Sequence, residues 1–297
     1  MLKRLAIRPE DILAVLMIIP SLWVARQSEY YSFLNGNIVV SKLTGGLLLL
    51  LILSILTALY ENRAQRIIDT IKSGVKIPQV TMSDQLIYLW KTKFRILLVA
   101  RDYLPFLICI LAYHTILSDL PHVKYYHLDN FFMVIEKSFV ESWRVAVIGW
   151  FSHNVNFKAM MSVAYKTYIL SVPILAAYLY MVKDLKKFRY FLLAVVFGSA
   201  MALIFNMLLP SMGLDAYTKQ IVSAQNGSVS LPTVYSSVVM FFSFKIGRTL
   251  GLVFIPLALL SFLADILTYS NYLVAVLIGI LIGVIAVPLA RYVGEKF

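Results

Sequence analysis

Two short polar clusters open apolar runs in the last third of the chain, Pro232-Thr233-Val234-Tyr235 and Asn271-Tyr272-Leu273-Val274-Ala275. Asp265 lies inside the apolar run between them, and Lys166 lies inside an earlier one. The four histidines, at 114, 122, 127 and 153, all precede both clusters. Nucleophilic and general acid catalysis need a group that attacks or titrates near neutrality. An asparagine amide does neither, alanine orients nothing, and an ordinary tyrosine with a pKa of about 10 is a poor proton donor. Hydrogen bonding, rather than bond making, is what these residue types offer.

A second constellation sits between residues 119 and 156. His122, His127 and His153 accompany Asp119, Asp129, Glu136 and Glu141 there, the raw material of a metal site or a substitute acid. None of it has tight ligand spacing such as His-Glu-x-x-His. Neither a metal nor any other cofactor is therefore expected. His114, within an apolar run, reads as a hydrogen-bonded packing residue, and Asp215 as an exposed loop acid. Cys109 is the only cysteine, which excludes a disulfide framework and a cysteine-based metal centre.

The elements that position these residues are set by hydropathy. Of 297 residues, 60% are hydrophobic and 14% charged, with a mean hydropathy of +0.81. Soluble domains carry roughly 25% charged residues. The expectation is an all-α polytopic membrane protein. Apolar segments fall at about 11–25, 38–60, 95–118, 157–182, 188–211, 232–247, 249–268 and 271–292, eight in all. The first and sixth are short for a full span. At the N-terminus, acids precede the apolar run and no small-x-small cleavage signal follows it, so a retained anchor is expected.

Sidedness follows from basic residues. With the N-terminus inside, nineteen of the 27 Lys and Arg fall on the inner side, seven on the outer side, and Lys166 within a span. This asymmetry predicts N-in and C-in, which puts Pro232–Tyr235 and Asn271 on the outer side. It also accounts for the net charge of +12, and no basic domain stands apart from the spans to bind nucleic acid. Residues 61–94 read as a cytoplasmic amphipathic helix with Ile67, Ile68 and Ile71 on one face. The aromatics of 119–156 suit a membrane interface. Gly279-Ile-Leu-Ile-Gly283 matches the small-xxx-small packing pattern. Lys166 and Asp265 both fall in the outer half of the membrane, where an unpaired charge is costly, so either a Lys166–Asp265 pair or two separate charges reaching water or backbone carbonyls is expected.

The order of these features resembles the type-2 phosphatidic-acid phosphatase superfamily, in the branch of inositol phosphorylceramide synthases. That family carries Pro-Ser-x-His and His-Tyr-x-x-Asp where this chain has Pro232-Thr233-Val234-Tyr235 and Asn271-Tyr272-Leu273-Val274-Ala275. Arg101-Asp102-Tyr103-Leu104-Pro105-Phe106, as the opening of a span, is similar too. So are Tyr165-Lys166-Thr167-Tyr168 with Pro173 and the Leu208-Leu209-Pro210 end. The resemblance covers residues 95–292. It implies a six-span core (95–297) behind a two-span extension (1–94). It further implies that Asn271 stands at the attacking position, Ala275 at the orienting position and Tyr235 at the proton-donor position. Where many members hold phosphate with an arginine, residue 265 is an aspartate, which repels phosphate.

The expected function is accordingly that of a catalytically inactive relative. It would bind a lipid or polyprenyl headgroup through Lys166, Pro232, Thr233, Tyr235, Asp265 and Asn271, or serve as a membrane subunit. Membrane lipids are the expected partners, with other membrane subunits as the alternative. A divergent lipid-phosphate phosphatase or phosphotransferase using Tyr235, Asp265 or an outer histidine is the competing reading. A transporter or channel component is the third, though no inverted repeat of the kind many transporters show is present.

Overall fold

Helices Lys186–Leu208, Arg248–Leu267 and Leu273–Glu295 are long and apolar enough to cross a membrane. About 20 residues at 1.5 Å each match a hydrocarbon core about 30 Å thick. The chain is a helical membrane protein, with no strand among the described residues. The computed structural model describes residues 8–27, scattered positions between 52 and 68, and residues 93–119, 128–151, 155–182, 184–209, 211, 229–267 and 271–296.

Among the described residues the helices are α1 (Pro9–Gln27), α2 (Lys93–Asp119), α3 (Asp129–Phe139), α4 (Glu141–Phe151), α5 (Val155–Met181), α6 (Leu185–Leu208), α7 (Leu231–Ile246), α8 (Arg248–Leu267) and α9 (Leu273–Lys296). Seven of the eight expected apolar segments coincide with α1, α2 and α5 to α9. The segment at 38–60 and the amphipathic stretch at 61–94 lie largely outside the described residues. The described positions between Ile52 and Ile68 are helical.

The centre of the bundle is α7, which packs against α5, α6, α8 and α9. It is buried without a break from Leu231 to Val239, as a helix that is apolar all round must be. At 16 residues it is about 24 Å long, so it ends short of its neighbours. Small residues allow the close approach. A Cβ on Gly279 would lie 2.9 Å from the Ser230 carbonyl oxygen and 3.0 Å from the Thr233 Cβ. One on Gly283 would lie 3.0 Å from the Val234 carbonyl oxygen, and one on Gly198 of α6 would lie 2.9 Å from Val234 Cγ1. The expected packing role of Gly279 and Gly283 is what the structure shows, with α9 running parallel to α7 in fixed register.

At the opposite end of the bundle, α1 packs on α2 and α6 through charge. Arg8 pairs with Asp102 at 2.7 Å, both nearly buried, and Arg101 pairs with Asp11 at 2.5 Å. Arg101 and Asp102 lie inside α2 and are not its first residues. Helix α2 begins two turns earlier at Lys93, because α1 supplies the counter-charges that let both residues sit inside a helix.

Between α2 and α5 the described residues 128–151 form the short helices α3 and α4. Phe132 packs on Tyr272, with ring centroids 5.5 Å apart, while Phe131, Phe139 and Trp143 are exposed. The aromatics of α3 and α4 thus divide into a buried and an exposed set.

Candidate functional site

Ser230 is the N-cap of α7, and its hydroxyl accepts the Thr233 backbone N–H at 3.3 Å. Pro232 occupies the first turn, where its missing N–H leaves no gap in the helix. The backbone just before the helix is satisfied from three sides, as buried peptide groups must be. The Val229 N–H donates to Asn206 Oδ1 at 2.9 Å, and its carbonyl accepts from the Tyr113 hydroxyl at 3.2 Å. Asn206 also donates to that hydroxyl at 2.8 Å. The Ser230 N–H donates to the Ala275 carbonyl at 3.3 Å. Helices α2, α6 and α9 thereby fix the start of α7.

Asp265 of α8 meets this cap. Its side chain is wholly buried, at 0% exposure, which carries a large penalty unless the carboxylate is hydrogen bonded. Three donors converge on it. The Ser230 hydroxyl donates to Oδ2, the Thr233 hydroxyl donates to the same oxygen at 3.0 Å, and the Asn271 amide donates to Oδ1 at 2.8 Å. No cation lies within ion-pair distance of Asp265 among the described residues. The Lys166 side chain lies outside them, and so does the expected Lys166–Asp265 pair.

This arrangement ties up the groups that chemistry would require. Ser230 is 1% exposed. Its proton is committed to Asp265 and a lone pair to the Thr233 N–H. A nucleophile needs a path for the substrate, and Ser230, almost wholly buried, has none. One acceptor stays open. Asn271 Oδ1 is buried and unpartnered among the described residues. Its orientation is dictated by the neighbouring carboxylate, which requires the amide N–H₂ to face Asp265. The open valence of the cluster is therefore an acceptor, which suits a hydroxyl or N–H and not a phosphate oxygen.

Of the residues expected at the site, Thr233, Asp265 and Asn271 are brought into one hydrogen-bonded cluster. Pro232 shapes the helix start beside it, and Ala275 contributes its backbone carbonyl. Tyr235 turns elsewhere. Its hydroxyl pairs with that of Ser199 on α6 at 2.7 Å, and its ring packs near Phe106 at 6.1 Å between centroids.

Two acids of 119–156, Asp129 and Glu136, serve as anchors. Asp129 accepts the Tyr272 hydroxyl at 3.0 Å, and Glu136 Oε2 accepts the Leu273 N–H at 2.8 Å. The other Glu136 oxygen meets the buried guanidinium of Arg144. A carboxylate at the N-terminus of α9 satisfies an orphan N–H and complements the helix dipole. No group of three potential metal ligands occurs among the described residues. His122, His127, His153 and Asp215, and the side chains of His114 and Asp119, lie outside them. Glu141 is exposed.

Ser230, Ser199 and the Glu136–Arg144 pair were not singled out from sequence. For Ser230 a signal existed, since a serine two residues before a proline at the start of an apolar run is an N-cap pattern. Comparison of the chain with protein-family models, with curated proteins and with solved structures returned no match.

Proposed function

We propose that this protein is a catalytically inert member of the type-2 phosphatidic-acid phosphatase superfamily, of the inositol phosphorylceramide synthase-like branch. Its bundle would bind the headgroup of a membrane or polyprenyl lipid in place of turning it over. In this reading the chain crosses a cell membrane eight times with both termini on the cytoplasmic side, and the Asp265 cluster faces the extracytoplasmic side. The reading rests on the resemblance of the two C-terminal motifs and on the basic-residue asymmetry.

The observation that carries it is the engagement of Asp265 by Ser230, Thr233 and Asn271. Where the resembled enzymes need a nucleophile and a phosphate-holding cation, this chain has a buried carboxylate with its donors already committed. The open acceptor of Asn271 favours a hydroxyl-bearing headgroup.

The test is phosphate release from phosphatidic acid and from polyprenyl diphosphate by the purified full chain. No turnover is expected, together with a lipid retained through purification and identified by mass spectrometry. Turnover that disappears in Tyr235→Phe or Asp265→Asn overturns the proposal in favour of a divergent enzyme.

A further inference from the structure

Two adjoining cavities open at the end of the bundle away from Asp265, with volumes of about 390 and about 290 Å³. Lys186 and Tyr190 of α6 line both. The larger lies between α6, α7 and α9 and falls within the range of about 300–1,000 Å³ usual for small-molecule sites. Its floor is apolar, with Phe242 and Val287 almost fully buried. Its rim is basic, formed by Lys186, Lys187, Lys245 and Arg291.

The wall at Tyr190 depends on one glycine. A Cβ on Gly294 would lie 2.5 Å from Tyr190 Cε1, so the ring reaches α9 only because residue 294 has no side chain. The Lys186 ammonium stands 5.7 Å from the centroid of the same ring, within the reach of a cation–π contact.

Charge is only partly compensated within the larger cavity. Asp184 holds Lys187 at 2.9 Å, and Glu295 holds Arg291 at 2.8 Å. Lys186 and Lys245 form no ion pair among the described residues. Asp184 and Glu295 also act on Lys186, yet the lining holds four basic side chains against these two acids. That positive excess above an apolar floor matches a ligand that joins an anion to a hydrocarbon body. Basic pockets between membrane helices recognise anionic headgroups through this combination.

We infer that the cavity between α6, α7 and α9 binds the phosphate headgroup of an anionic membrane lipid. Lys186 and Lys245 hold the phosphate, and Phe242, Val287 and the Tyr190 ring face the glycerol and the first methylenes. This site is separate from the Asp265 cluster and stands whether or not that cluster binds a ligand.

The test uses the full chain in phosphatidylcholine nanodiscs with increasing phosphatidylglycerol, with bound lipid read by native mass spectrometry. Each basic residue near a headgroup contributes about fivefold in affinity, so K186Q/K245Q should weaken phosphatidylglycerol binding about 25-fold. K186R/K245R should retain it. Arg26→Gln, at the far end of α1, should leave it unchanged. Inorganic phosphate should displace the lipid only at concentrations far above the lipid's own. Four outcomes overturn the inference: equal retention of phosphatidylcholine, unchanged binding in K186Q/K245Q, the same loss in Arg26→Gln, or inorganic phosphate binding as tightly as the lipid.

Discussion

Asn271 donates its side-chain amide to the Asp265 carboxylate across 2.8 Å, tying the start of α9 to the end of α8. The other carboxylate oxygen takes the Ser230 and Thr233 hydroxyls of α7. One buried side chain thereby ties three helices together. Asp265→Ala removes the acceptor from all three donors. Each donor left unsatisfied costs about 1–3 kcal/mol, not additively, so a loss of about 3 kcal/mol or more is expected. Asp265→Asn keeps one acceptor oxygen but turns an amide N–H₂ toward one of the three donors, and should fall between wild type and Asp265→Ala. Thermal unfolding in detergent gives the order, and equal stability of all three proteins would remove the structural role assigned to the cluster.

The register that makes this cluster depends on Gly279, whose missing side chain admits the Ser230 carbonyl and the Thr233 side chain. Gly279→Ala forces α9 away from the cap and should destabilise by about 1–3 kcal/mol, the usual effect of overpacking. Gly149 is the control, since a Cβ there meets nothing within 4 Å. Gly149→Ala should raise stability by about 0.5–1 kcal/mol through lower backbone entropy in the unfolded chain. Unfolding midpoints moving in the same direction for both variants would contradict the packing account.

How much of this was legible beforehand differs by level. The long helices could be read because hydropathy alone sets them, unlike the short α3 and α4, and the Gly279–Gly283 pair because its spacing falls on one helix face. Asp265 and Asn271 stood out as polar residues in apolar surroundings. Their partners did not, because which hydroxyls meet a carboxylate depends on helix rotation and register, which one sequence does not encode locally. Tyr235 shows the same limit. It lies five residues past Ser230, on a different face of α7, and so points at Ser199. Arg101 and Asp102 show the same dependence on distant partners. Adjacent charges look like a helix boundary until Asp11 and Arg8 from 90 or more residues away neutralise them.

Asp184 caps α6 by accepting the Lys187 backbone N–H at 3.0 Å. That hydrogen bond, followed by the Lys187 side chain, holds its carboxyl below the usual carboxylate range. A depressed pKa in the folded state means that the stabilisation is complete above the unfolded value of about 3.9 and is lost as pH falls through the folded value. Asp184→Ala should therefore lower stability by about 1 kcal/mol at neutral pH. The gap from wild type should narrow as pH drops below about 4. Unfolding midpoints of the two proteins across pH 3–7 check this, and a gap independent of pH would rule out the ionised carboxylate as the capping group.

Glu136 is the hinge pin between α3, α4 and α9. One of its oxygens accepts the Leu273 N–H, and the other meets Arg144, which is 1% exposed. Removing one partner of a buried ion pair leaves the other desolvated without its counter-charge, which typically costs about 3–5 kcal/mol. Glu136→Ala should incur a loss of this size. Glu136→Gln keeps an acceptor for one partner and should lose less. Pairing Glu136→Ala with Arg144→Met should recover part of the stability, since the buried charge is then gone as well. A double variant no more stable than Glu136→Ala alone would mean that Glu136 acts through the α9 N-terminus instead. Its role would then be to hold the Asn271–Leu273 turn, and with it the geometry presented to Asp265.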